Sequence, residues 1–115
     1  MKRKHLFVSA MAAALMMTTA SAHALPLRLR ANQVTVEQPG VNNGAAVAQT
    51  GRGNRGVVTQ NGVDNLGIVQ QSGNVNSGGI RQVGTGHTAT LTQSNNNNTG
   101  CIVQSGTGHN ANVNQ

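Results

Sequence analysis

The 115-residue sequence predicts an all-β solenoid of strand-turn-strand rungs, with 22 residues per rung and two parallel sheets facing each other. Three observations carry that expectation: glutamine recurs every eleven residues, the residues between keep step, and conserved residue types fall two apart. Alternation with period 2 places a set of side chains on one face of a β-strand, which a helix cannot do.

The period runs through Gln38, Gln49, Gln60, Gln71, Gln82, Gln93, Gln104 and Gln115 without a slip. Two residues after each stands Gly40, Gly51, Gly62, Gly73, Gly84 or Gly106, with Asn95 the exception. Five after stands Asn43, Asn54, Asn65, Asn76 or Asn98, with His87 and His109 in the same slot of their modules. Seven after is Ala or Gly, and nine after is a branched aliphatic: Val47, Val58, Val69, Ile80, Leu91, Ile102 and Val113. Asn32, Val34 and Val36 supply the second half of one further module. Such a period is the signature of a stacked repeat, in which no single unit buries its own core.

Each module is one strand, and the two residues between its Gly and the next Asn, such as Arg52-Gly53 or Val63-Asp64, make a tight turn. A single antiparallel meander would satisfy the turns. The identical inward pattern on every strand instead favours consecutive strands in two facing sheets, with rungs about 4.8 Å apart. The inward aliphatics are then Val36, Val58, Ile80 and Ile102 on one sheet and Val47, Val69, Leu91 and Val113 on the other. Gln and Asn form ladders beside them, and the six glycines shape the turns.

The N-terminus reads differently. Lys2, Arg3 and Lys4 precede an apolar run from Leu6 to Met17 and the small-residue sequence Ala20-Ser21-Ala22-His23-Ala24, the pattern of a secretory signal peptide cleaved after Ala24 or Ala22. The run is too short to span a hydrocarbon core of about 30 Å. The expected organisation is a signal peptide over 1–24, a short leader over 25–31 and a repeat domain over 32–115.

Composition removes several function classes. The whole chain has Lys+Arg 8 against Asp+Glu 2, a formal charge of +6. Without the signal peptide, Arg28, Arg30, Arg52, Arg55 and Arg81 face Glu37 and Asp64, a charge of +3 with no Phe, Trp, Tyr or Met. That lacks the basic stripe with stacking aromatics that a specific nucleic-acid binder uses. Two carboxylates more than two modules apart cannot form a glycosidase pair or serve a triad, so neither an enzyme nor a cofactor is expected. One cysteine, Cys101 on an outward slot, cannot close an internal disulfide.

His87 and His109 share the context Gly-Thr-Gly-His and stand 22 residues apart, so a solenoid stacks them. A stacked pair could make assembly pH-sensitive. Two ligands without a third make a poor metal site, so the simpler reading is a polar ladder residue in place of Asn.

From Gln38 to Gln115 the modules resemble the curlins, whose repeats carry Q-x-G-x-x-N-x-A-x-x-x-Q, as in Gln49-Thr50-Gly51-Arg52-Gly53-Asn54 and its successors. The resemblance implies a secreted functional amyloid: a subunit or nucleator of a cell-surface curli-type fibre, serving adhesion and biofilm matrix. It further implies copies of this chain and other curlin subunits as partners, with outer-membrane secretion and assembly proteins. Arg52, Arg55 and Arg81 could contact acidic matrix polysaccharide or DNA, though solvated charge that limits side-by-side aggregation is the simpler reading. The competing expectation is a monomeric solenoid that binds polysaccharide or ice through an outward row such as Thr88, Thr90 and Thr92.

Overall fold

The computed structural model describes residues 13–19 and 31–115. The basic N-terminal residues, the cleavage site and most of the short leader lie outside the described residues. Ten strands are defined: β1 (Ala13–Thr19), β2 (Gln33–Glu37), β3 (Gly40–Val41), β4 (Gly44–Arg52), β5 (Arg55–Val63), β6 (Leu66–Asn74), β7 (Ser77–Thr85), β8 (Thr88–Gln93), β9 (Thr99–Thr107) and β10 (Asn110–Asn114).

The strands sort into two parallel sheets. One has the order β1-β4-β6-β8-β10, and the other β2-β5-β7-β9 with β3 also on β5. Consecutive strands of the repeat therefore alternate between sheets, and each pair of modules makes one rung, about four in all. The meander is excluded.

Register follows the 22-residue spacing throughout. Val36 pairs with Val58, Val58 with Ile80 and Ile80 with Ile102 in one sheet. Val47 pairs with Val69, Val69 with Leu91 and Leu91 with Val113 in the other. A slip by one residue would turn every buried side chain to solvent, so the alternating pattern fixes this register.

The core is thin and continuous along the axis. Val47, Val58, Val69, Ile80, Leu91 and Ile102 are buried, with Val36 and Val113 packed against them at the ends. The small residue seven places after each Gln is a socket for the opposite sheet: a Cβ added at Gly56 would lie 2.8 Å from Val47 Cγ1, and one at Gly67 3.0 Å from Val58 Cγ1. Close approach of the sheets is what lets single aliphatics fill the interior.

The turns differ in one respect from the expected form. Gly40, Gly51, Gly62, Gly73, Gly84 and Gly106 lie within or beside paired strand, at φ of 102° to 134°. They bend the strand, and the reversal is completed by the residue just before each Asn or His. Asn42, Gly53, Asp64, Val75, Gly86, Asn97 and Gly108 hold that position at φ of 55° to 69°. Val75 alone is β-branched there, and it is exposed. A left-handed conformation costs an L-residue about 1–2 kcal/mol, least for Asn and Asp. Val75→Asn is expected to stabilise the fold by about 1 kcal/mol, read as a raised denaturant midpoint.

Candidate assembly surface: polar ladders and open ends

The buried polar residues run as continuous chains of hydrogen bonds parallel to the stacking axis. In one sheet Gln38 Nε2 donates to Gln60 Oε1, Gln60 to Gln82 and Gln82 to Gln104, at 2.7, 2.8 and 2.9 Å. In the other, Gln49 donates to Gln71, Gln71 to Gln93 and Gln93 to Gln115, at 2.7, 2.8 and 3.0 Å. The second amide proton crosses to a main-chain carbonyl of the facing sheet, as from Gln60 Nε2 to Gly44 O at 2.8 Å or Gln71 Nε2 to Arg55 O at 2.9 Å. Each glutamine thus joins its rung to the next and one sheet to the other.

The asparagines clamp the turns. Asn54 Nδ2 donates to the Thr50 carbonyl four residues earlier and to the Gly73 carbonyl of the next rung, both at 3.0 Å. Its Oδ1 accepts the main-chain N–H of Asn76, also at 3.0 Å. Asn43, Asn65 and Asn76 repeat the pattern in whole or in part, and Asn98 donates to Ser94 O. Buried amides are tolerated because their donors and acceptors are used.

His87 does the work of an asparagine. Its Nδ1 accepts the main-chain N–H of His109 at 3.2 Å, and its Nε2 lies 3.1 Å from the Val83 carbonyl, four residues earlier. A ring that accepts at Nδ1 and donates at Nε2 is neutral. The His87 and His109 rings stack at 5.2 Å between centroids and 5° between planes. Among the described residues no group of three His, Cys, Asp or Glu could hold a metal ion.

His87→Asn preserves both bonds and is expected to shift the unfolding midpoint little. His87→Leu orphans the Val83 carbonyl and the His109 amide, at about 1–3 kcal/mol each.

The two ends of the stack are unequal. Every interior glutamine accepts one bond from the rung before it, whereas Gln49 Oε1 is buried with no hydrogen-bond partner among the described residues. At the opposite end Gln115 is exposed, accepting from Gln93 and donating to Thr99 O at 3.2 Å. Cys101 is exposed on the outer face, in register with Gly79, and Thr88, Thr90 and Thr92 face outward on β8. Arg52, Arg55 and Arg81 are exposed, as are Glu37 and Asp64.

The spacing revealed the ladders but not the cross-sheet carbonyl bonds or the orphan at Gln49, which depend on side-chain rotamers. The left-handed turn position was legible, since six of its seven occupants are Gly, Asn or Asp. A family model for the curlin associated repeat matches residues 30–62 and 62–94, each window covering three modules. No curated protein and no solved structure matches the chain.

Proposed function

The chain belongs to the curlin repeat family, and from that premise we propose that it is a structural subunit, or a nucleator, of an extracellular curli-type amyloid fibre. The observation that carries this reading is the repetition of the inward columns from rung to rung. Inward Gln, Asn and aliphatic columns repeat at each level, so the face presented by the last rung has the same pattern as the seat required by the first. Cross-β stacking completes the main-chain and amide bonds that an isolated stack leaves open at its ends.

A chain of this kind is exported through the periplasm and works at the cell surface, in adhesion and biofilm matrix, with outer-membrane secretion and assembly proteins and other curlin subunits as partners. Its role is mechanical and not enzymatic. The outward columns differ from rung to rung, as in Leu66 over Thr88 and Ile68 over Thr90. That variation favours a fibre subunit over a binder of a flat lattice, which needs the outer face to repeat.

The test is to purify residues 25–115 and follow thioflavin fluorescence, fibre diffraction and seeding. The expected result is a sigmoidal rise, a reflection near 4.7 Å and loss of the lag on adding fragments. A dispersed monomer that neither seeds nor diffracts would overturn the reading. Seeding of a second curlin by this chain at low molar ratio would mark it as a nucleator.

A further inference from the structure

The buried orphan at Gln49 identifies what belongs beside it. Along each glutamine column the earlier rung donates through Nε2 and the later rung accepts through Oε1. Gln49 Oε1 therefore requires an amide donor from a rung placed before β4. The structure supplies a strand there, but not that donor. β1 pairs parallel with β4 from Ala13↔Gly44 to Thr19↔Thr50, which puts Thr18 in the glutamine column opposite Gln49. The main-chain edge of β4 is thus covered while Gln49 Oε1 stays unsatisfied, an omission that costs about 1–3 kcal/mol.

Continuing the 22-residue register past the last rung shows what would supply it. The next position in the column of Gln49, Gln71, Gln93 and Gln115 is Gln49 of a second copy, and Gln115 Nε2, which gives one proton to Thr99 O, has a second to donate. The other sheet agrees: Gln104 comes opposite Gln38 of the next copy, Ile102 opposite Val36, and Gly106 opposite Gly40.

In the fibre reading the β4 edge around Gln49 seats the C-terminal rung of a second copy, Gln115 Nε2 donating to Gln49 Oε1; building on it, we infer that β1 occupies this seat in the unprocessed chain and caps it. A junction must pair both sheets of a rung together, so a strand on β4 blocks the whole N-terminal end even with β2 open. The C-terminal rung of the same chain stays free. An unprocessed chain can therefore join a fibre at the tip that presents Gln49, and it ends growth there, while the tip that presents Gln115 keeps growing.

The experiment follows elongation of labelled seeds of residues 25–115 at each tip, with the full chain of residues 1–115 added at one part in twenty. Arrest of one tip with undiminished growth at the other is expected. Full chain carrying Met16→Pro and Met17→Pro should not arrest either tip, because adjacent main-chain N–H groups point to opposite sides of a strand and one of the two must serve the β4 ladder. Gln115→Glu in residues 25–115 keeps the acceptor for Gln93 but sets a carboxylate against Gln49 Oε1, and should slow elongation at least tenfold. Continued growth at both tips with the full chain present, or parental elongation by Gln115→Glu, would overturn the inference while leaving fibre formation intact. Failure of residues 25–115 to form fibres at all would instead remove the reading on which it rests.

Discussion

Gly62→Ala is expected to abolish the stack. A Cβ at Gly62 would lie 1.9 Å from the carbonyl oxygen of Gly84 in the next rung, a main-chain atom that cannot move without separating the two strands. The φ of 134° adds backbone strain for any L-residue. Losses above about 4–5 kcal/mol come from a short list of causes, and main-chain collision in a paired strand is among the severe ones. Circular dichroism and thioflavin fluorescence should show an unstructured, non-assembling chain. Gly106→Ala is the internal control, because the nearest atom to its added Cβ is His109 Nε2 at 3.2 Å. One chain bearing it should fold with only the strain of φ 111°, about 1–3 kcal/mol. Its fibres should fail to extend if another copy's rung is to stack beneath.

Gln60→Leu is the second large effect expected. Gln60 is completely buried and joined to three neighbours: it accepts from Gln38 Nε2 and donates to Gln82 Oε1 and Gly44 O. Leucine comes near the volume but takes a hydrogen bond from all three partners, Gln82 being fully buried and Gln38 and Gly44 half-buried. At about 1–3 kcal/mol for each orphan, the loss exceeds what one added aliphatic returns, about 2 kcal/mol. A denaturant series should show a large drop in midpoint. Thr59→Leu, at the adjacent half-buried outward position, should change it little.

The fold was legible because one period carried two messages at once. Eleven residues set strand plus turn, and the period of 2 within each strand set which residues face inward. Val58 and Ile80 could be placed over one another from spacing alone, and their pairing follows that register. Less was legible at the turns. The two-residue reversal at Arg52-Gly53 could be placed, with Gly53 left-handed, but not that Gly51 ahead of it bends a strand that stays paired through Arg52. Glycine marks both positions, and sequence does not distinguish a φ of 102° from one of 65°.

At the candidate site, the Gln and Asn columns followed from spacing, but the direction of their bonds did not. That polarity leaves Gln49 as an acceptor and Gln115 as a donor, and it depends on how each amide is turned. The pairing of β1 with β4 was also invisible. Ala13 to Thr19 lies in a run read as the core of a signal peptide, and nothing in its spacing continues the eleven-residue module.

The central claim is that residues 22 apart in sequence lie one rung apart in space. Thr35, Val57, Gly79 and Cys101 form one outward column across β2, β5, β7 and β9. Spin labels on the native Cys101 and on Thr35→Cys, in fibres diluted with unlabelled chain, measure it directly by electron paramagnetic resonance. Three rungs at about 4.8 Å predict a backbone separation of about 14 Å, whereas six strand spacings in a single meandering sheet would give about 29 Å and contradict the account.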